Sequence, residues 1–513
     1  MTPGPERESE APPPGGSPRG GTDRSVDVVN GALFKPMLWL SAPIVGAQLL
    51  QVGYNLADTY WVGRLGADPV TALAYSWAII FLMVSVGGGL TVAGTVLVAQ
   101  YKGADDLRTT DHVAGQTLSF VTLVAAAFAV VGYFATPLLV DLVGGTPGTP
   151  PYVMAVNYTR IIFIGVVLMF WFFIFDALSR GWGDTRTPLY LMGLSVGINV
   201  VLDPFLILGF EHNPLFIWFG LEALEASLFD ATGFEGWGIE GAAVATLIAR
   251  GFAAFAGLYL LFNGRVGLQP ALGDLLPKRE TIESIINIGA PIAIEQGARA
   301  GGLALLTAII AIAGDDAVAA YGIVNRLSTL LFLPALGFSR GIETIVGQNL
   351  GARQVDRAKR SVTLGAAVVT AVFAVVIALA YPNAEAIVGF FLEADPEGTV
   401  PVEEVIEIGA YYIWIAGPAY LFLGAFQIML GAIRGSGSTR AAMVLSIQEL
   451  WLWRLPLAYI FITVMGLGII GVWYAVAVSY IAAAIITGIW FSQGTWTDSI
   501  VDRNPSSTNS GAD

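Results

Sequence analysis

Twelve apolar stretches, each long enough to cross about 30 Å of hydrocarbon as a helix, recur along the chain and constrain its fold more than any other feature. They lie at about 36–62, 70–100, 112–141, 152–179, 187–210, 237–263, 282–313, 317–348, 361–391, 404–433, 441–465 and 468–493. Charged residues make up 12% of the chain against 55% hydrophobic, about half the charge of ~25% that a water-soluble globule carries. The expectation is an all-α polytopic membrane protein with twelve transmembrane helices.

Positive charge gives the orientation. With a cytoplasmic N-terminus, the cytoplasmic loops hold Lys102 and Arg108, Arg180 and Arg186, Arg265, Lys278 and Arg279, and the cluster Arg353, Arg357, Lys359 and Arg360. The alternate loops hold Arg64 and are otherwise acidic, with Asp315, Asp316, Glu393, Asp395, Glu397, Glu403 and Glu404. This is the positive-inside asymmetry of a cell-membrane protein with both termini cytoplasmic. Residues 1–30 are rich in Pro, Gly and charge, and they and residues 494–513 are expected to be disordered cytoplasmic tails. The segment 211–236 has no Lys or Arg. Its Leu221, Leu224 and Leu228 at helical spacing fit either an amphipathic surface helix or an extended loop.

Several functions are excluded early. The absence of Cys removes disulfides, thiolate metal sites and thiol nucleophiles, and two His cannot make a histidine-rich metal centre. No phosphate-cradling loop or HExxH motif occurs, so neither direct use of ATP nor enzyme chemistry is expected. The net charge of −14 with only four Lys suits high salt, where screening weakens self-repulsion, and a salt-adapted source is expected.

Three short motifs repeat in register. Ala42-Pro43 with Gln48 returns as Ala290-Pro291 with Gln296, a shift of 248. Ala99-Gln100-Tyr101-Lys102-Gly103-Ala104 returns as Gly347-Gln348-Asn349-Leu350-Gly351-Ala352, again a shift of 248. Arg180-Gly181-Trp182-Gly183-Asp184-Thr185-Arg186 returns as Arg434-Gly435-Ser436-Gly437-Ser438-Thr439-Arg440, a shift of 254. Each half then has six spans, and six is even, so the halves are parallel repeats about an axis along the membrane normal. Two six-helix lobes (31–264 and 281–493) around a central cavity are expected, joined by a cytoplasmic linker at 265–280.

Ionisable groups at bilayer depth cost ~2.5–3.5 kcal/mol on insertion scales and are functional candidates by default. Asp58 lies near the outer end of the first span, with Asn55 on the same face. Asn199 and Asp203 are four apart on one face of the fifth span, and Pro204 follows and favours a kink. Two carboxylates in a dry site cannot both ionise cheaply, so Asp58, Asn199 and Asp203 suit a proton-coupled or Na+ site. A buried polar staple is the structural alternative. Glu295, well inside the seventh span, fits either a cation site or a salt bridge to Arg299. Glu343 is expected to pair with an arginine such as Arg340, Glu449 and Arg454 could form another buried pair, and Asp176, one turn from Arg180 at the inner boundary, reads as structural. Arg160, Arg250, Arg326 and Arg340 read as inner-rim or interlobe pairing groups. Phe170, Trp171, Phe172 and Phe173 could line a cavity for flat cations, although core packing is the commoner reason for such a run.

These residues resemble the multidrug and toxic compound extrusion (MATE) family, in its prokaryotic branch with an acidic cation site in the first lobe. The resemblance is carried by Asp58-Thr59-Tyr60-Trp61-Val62-Gly63-Arg64-Leu65-Gly66, by Arg180 through Pro188, by Asn199-Val200-Val201-Leu202-Asp203-Pro204, by Gly238 through Thr246 and by Val346 through Ala352. It implies a secondary antiporter in which H+ or Na+ entry drives export of cationic or amphipathic drugs or toxins by alternating access. By the family pattern Asp58, Asn199, Asp203 and Thr246 match the first-lobe cation site, with Na+ expected at Asp58, Asn199 and Asp203 if Na+ is the coupling ion. Glu295 is similar to the second-lobe glutamate of the sodium-driven branch, but the tenth span lacks that branch's aspartate, which favours coupling in the first lobe. The resemblance implies no cofactor, no nucleic-acid partner, membrane lipid as surroundings and a monomer. A flippase for lipid or lipid-linked sugar is the alternative, and it would need an interlobe groove of Arg and Lys.

Overall fold

The computed structural model describes residues 24–211, 213–390, 402–498 and 500–503. Among these there is no strand. The first half forms α1 (Phe34–Gly63), α2 (Ala67–Gly103), α3 (Leu107–Leu142), α4 (Pro150–Trp182), α5 (Arg186–Leu208), the short α6 (Pro214–Phe219) and α7 (Glu222–Thr232), and α8 (Ile239–Phe262). The second half forms α9 (Arg279–Ala311), α10 (Asp315–Gly351), α11 (Val355–Ala380), α12 (Ala384–Phe390), α13 (Val402–Ala416) and α14 (Tyr420–Gly435). It continues with α15 (Thr439–Gln448), α16 (Leu455–Thr463), α17 (Gly468–Ser492) and a closing turn, α18 (Ile500–Arg503).

Three spans of the second half are interrupted. Short 3-10 turns separate α11 from α12 and α13 from α14, and a π-helical turn, Glu449–Arg454, separates α15 from α16. Pro382, Pro418 and Pro456 sit at these breaks, where a residue without an N–H cannot continue the helical ladder. With the breaks bridged there are twelve spans, six per half, in agreement with the sequence. Among the described residues nine are long and apolar enough to cross a membrane by composition alone. The three others are α1, α9 and α15–α16, which carry Asp58, Glu295 and the Glu449/Arg454 pair.

Two hydrophobic cores organise the bundle, one made mostly of residues from α1 to α8 and one from α9 to α17. Across their boundary α2 packs on α9, α1 packs on α10, and α2 packs on α10. The shift of 248 relates α1 to α9 and α2 to α10, so these contacts are those of a twofold axis along the membrane normal. Helix α1 serves both cores: Met37 and Leu40 join the second, while Trp61 and Val62 join the first.

The hydrogen bonds between the halves cluster at the end of the bundle that holds both termini. There α2 and α10 approach so closely that only glycine fits. A Cβ on Gly103 would lie 2.0 Å from the Gln348 carbonyl oxygen, and one on Gly351 would lie 2.0 Å from that of Gln100. Gln100 Nε2 donates to the Gly435 carbonyl (2.9 Å), and Gln348 Nε2 donates to the Gly181 carbonyl (2.8 Å). Two of the three repeated sequence motifs are thus surfaces by which the halves grip each other.

The expected disordered tails are corrected in part. Residues 24–30 are ordered because their backbone is recruited by both halves. The Val26 N–H donates to the Gly183 carbonyl (3.1 Å), Asn349 and Arg357 donate to the Val28 carbonyl, and Val28 is buried. At the other terminus Trp496 is buried against Phe491, with ring centroids 4.4 Å apart, and the Ile500 N–H donates to Gln100 Oε1 (2.6 Å). Residues 1–23 and 504–513 lie outside the described residues, as do Glu393, Asp395 and Glu397 of the acidic loop.

Between the halves, residues 265–278 dock on α3. Gln116 Nε2 donates to the Asp274 and Leu276 carbonyls, and His112 Nδ1 lies 2.9 Å from Asp274 Oδ1. Burial raises the Asp274 carboxyl, but hydrogen bonds from His112 and the Ala271 N–H outweigh it and hold it below the ordinary value. That contact therefore stabilises at neutral pH and weakens as pH falls through the carboxylate range. The segment 222–232 is the helical alternative, α7, and none of its residues is buried.

Gly351→Ala should force α2 and α10 apart, at a cost on the order of 1–3 kcal/mol to the state closed at this end. The chain has no Cys, so spin labels on Asp105→Cys, just after α2, and Lys359→Cys, on α11 just beyond the end of α10, report the spacing of these helix ends. The distance distribution should move to longer values, and an unchanged one would refute the close contact.

Candidate functional site

Residues spaced three and four apart on a helix share a face, and on α1 that face carries Gln48, Gln51, Asn55 and Asp58. All four line a central cavity of about 300 Å³ between the halves. Tyr54, Tyr158 and Thr246 join them toward one end, and Asp176, Arg180, Arg340 and Glu343 lie toward the end that holds the termini.

Asp58 is only 2% exposed, and its Oδ1 has no hydrogen-bond partner. On α5, Asn199 and Asp203 are fully buried, and Asn199 Nδ2 donates to Asp203 Oδ1 (3.0 Å). The remaining oxygens, Asn199 Oδ1 and Asp203 Oδ2, have no partner. Thr246 Oγ1 lies 2.5 Å from the Tyr54 hydroxyl. Asp58 and Asp203 are near enough to feel each other's charge, and Tyr54 and Tyr158 feel both. The structure thus brings Asp58 and Asp203 together, with Asn199 bonded to Asp203 and Thr246 joined through Tyr54. The two tyrosines were not anticipated. Tyr54 was readable, being one turn before Asp58, whereas Tyr158 reaches the cluster only through tertiary packing of α4.

The local backbone fixes this geometry. Pro204 sits inside α5, which continues to Leu208. Beyond it the Leu206 and Ile207 carbonyls accept from the Trp237 and Gly238 N–H groups (2.8 and 3.0 Å), and Asn213 Nδ2 donates to the Pro204 and Gly209 carbonyls. Gly241 permits this join, because a Cβ there would lie 2.1 Å from the Leu206 oxygen. The start of α8 is therefore pinned to the end of α5, which sets the register of Thr246.

All three orphaned atoms of the cluster are acceptors. A proton on a carboxyl satisfies such oxygens, and so does a hard cation, which takes carboxylate and amide oxygens alike. Among the described residues no group of three or more His, Asp or Glu is placed to hold a metal ion. Na+ would therefore need the Asn199 amide oxygen beside the two carboxylates. Asn55 faces the cavity, but its Oδ1 already accepts from Gln51 Nε2 (2.9 Å).

Glu295 does not pair with Arg299. Its Oε1 accepts from Arg434 Nη2, while Arg299 lies over the Phe332 ring at 4.5 Å. The partner is 139 residues away and is set by tertiary packing within the second half, out of reach of spacing rules. Glu449 and Arg454 pair as expected, five apart on the π turn and joined by Ser479. Asp176 is ion-paired with Arg180, one turn on. Glu343 lies among Arg180, Arg340 and Arg434 rather than bonded to Arg340 alone. Arg160 donates to the Tyr133 carbonyl and Arg250 to Gln51, both within the first half, and Arg326 is exposed, so none of these three joins the halves. Of the aromatic run, Phe170 and Phe172 are buried, Trp171 donates to Thr122, and Phe173 lines the cavity.

A family model described as MatE matches residues 43–205 and again 291–460. The two matches begin 248 residues apart, the shift of the internal repeat. The probable multidrug resistance protein YoeA of Bacillus subtilis (strain 168) is 29% identical over 486 residues, covering 91% of this chain and 96% of its own length. The probable multidrug resistance protein NorM of Thermotoga maritima is 28% identical over 469 residues, covering 90% and 93%. Among solved structures, a multidrug resistance MATE family transporter of the MOP superfamily in an outward-facing conformation overlays with a TM-score of 0.79 at 24% identity, covering 91% of this chain and 97% of that one.

A structural staple and a cation site differ in how they tolerate neutral isosteres. Asp203→Asn and Asp58→Asn each remove a buried carboxyl with an orphaned oxygen, so stability should stay within about 1 kcal/mol of the parent or rise. A marked fall in the thermal unfolding midpoint of the detergent-solubilised protein would make these residues staples.

Proposed function

The chain belongs to the MatE family of membrane transporters, and we propose that within it the protein is a secondary antiporter, with H+ or Na+ moving in as organic compounds move out. Three orphaned acceptor oxygens on α1 and α5, beside a cavity between two repeats, carry this reading. Asp58 and Asp203 take up the coupling ion, Asn199 orients Asp203, and Thr246 holds Tyr54 against the cluster. Relatives named multidrug resistance proteins support drug-like organic cargo and give no support to a lipid flippase.

Alternating access then follows from the packing. The positive-inside pattern puts the termini in the cytoplasm, so the contacts around Gln100 and Gln348 close the cytoplasmic side and the cavity belongs to an outward-facing state. Uptake of H+ or Na+ changes the charge on α1 and α5. Pro204 leaves α5 one backbone hydrogen bond short, so α5 bends there at low cost and reshapes the cavity wall. Rocking the halves about their common axis replaces the two glutamine bonds with water and opens the other side. Cavity and acid cluster are complete within one chain, so a monomer suffices.

Proteoliposomes with pH and Na+ gradients imposed separately test the coupling. One gradient should drive efflux of a cationic dye, and Asp58→Asn or Asp203→Asn should cut that flux at least about tenfold, within the usual range of coupling between two sites. Unaltered gradient-driven flux in both variants would remove these residues from the mechanism.

A further inference from the structure

Arg180, Arg250 and Arg340 converge with Gln48, Gln51 and Asp176 on a wall shared by the central cavity and a second cavity of about 110 Å³. In the second half the buried Arg454 and Arg434 are each paired with a carboxylate, Glu449 and Glu295. At this wall one arginine is so paired, Arg180 with Asp176. Arg250 has neutral partners only: Nη2 donates to Gln51 Oε1 (2.6 Å) and Nη1 to Met192 Sδ (2.9 Å). Its guanidinium lies over the Tyr54 and Phe172 rings, 5.3 and 5.6 Å from their centroids. Arg340 makes no hydrogen bond or ion pair with another described residue, and the nearby Glu343 is shared with Arg180 and Arg434. Even with Arg434, Glu295 and Glu343 counted, this end of the site has four guanidiniums against three carboxylates.

We propose that this wall is an oxyanion subsite, and that the transported compound carries a carboxylate or phosphate there while its cationic body reaches toward Asp58. An embedded guanidinium without an anion is costly, and a planar fork of donors recognises such a group in bidentate fashion. Arg250 is already held in place by Gln51 and the two rings, so little freedom is lost when an anion arrives. Phe173, which lines both cavities, offers a flat face for an aromatic body between the two charged ends. The inference rests on the transport reading above and narrows its cargo from cationic to amphoteric compounds.

Rhodamine 110 and rhodamine 123 form a matched probe pair, because the second is the methyl ester of the first and lacks only the free carboxylate. Fluorescence polarisation with the full chain in detergent should give tighter binding of rhodamine 110, on the order of tenfold, as a charged hydrogen-bonded contact supplies. Inorganic phosphate should weaken rhodamine 110 more than rhodamine 123. Arg340→Gln and Arg250→Gln should each bring the two affinities close together, and Arg340→Lys should keep part of the preference. Equal affinities in the parent, or a preference that survives both glutamine variants, would overturn the subsite. Gradient-driven efflux of rhodamine 123 is read separately. Its absence, with the binding preference intact, would count against the exporter and leave the subsite standing, whereas failure of both dyes to bind would overturn both.

Discussion

The hydrocarbon interior of a bilayer offers no water to a carboxylate or a guanidinium, so each one carried into it must be enclosed by protein. In this chain the burden falls on α1, α9 and α15–α16. Helix α1 is covered by α5 and α10, α9 by α2 and α15, and the π turn by α17. The two halves meet the demand differently. In the second, Glu449 and Glu295 are each neutralised by an arginine, Arg454 and Arg434. In the first, neither Asp58 nor Asp203 has a basic partner, and Asp58 Oδ1 and Asp203 Oδ2 accept no hydrogen bond. A duplicated fold has thus paired Glu295 and Glu449 with arginines in one half and left Asp58 and Asp203 of the other without one, an asymmetry on which the proposed coupling draws.

The contact between the halves is built for reversal. Two amide side chains donate to two carbonyls, at the aqueous end of the bundle and across a glycine approach. Each such bond contributes roughly 0.5–1.5 kcal/mol net, since water replaces it on opening. Residues 24–30 and the turn after Trp496 add bonds that cross the same boundary. None of these is an embedded ion pair, which would leave two unpaired charges on separation. The contact is therefore held by several weak bonds that water can exchange, which suits the alternating access proposed above.

What was legible in the sequence was local or periodic. The span count followed from apolar length, the twofold architecture from three motifs in register, and the one-turn neighbours Asn199/Asp203 and Asp176/Arg180 from helical spacing. What escaped was nonlocal. Glu295 finds Arg434 and not Arg299, because tertiary packing within the second half brings Arg434 of α14 to it. The tails misled for a related reason. Polar, Pro-rich composition reports how little apolar surface a segment can bury, but it is blind to backbone carbonyls such as that of Val28, which Asn349 and Arg357 capture.

The face of α1 ties these features into one device. Gln51 bonds at once to Asn55, toward Asp58, and to Arg250, toward the arginine wall. Tyr54, between them in sequence, bonds Thr246 and lies under the Arg250 guanidinium. A rotation or bend of α1 that admits an ion at Asp58 cannot leave Gln51 and Tyr54 in place, because all these groups sit on consecutive turns of one helix. The same movement must then release or reorient Arg250. Under the proposed function, ion uptake at one end of the cavity and loss of grip at the other would be two consequences of a single helix displacement, and two-site exchange would require no longer chain of couplings than this.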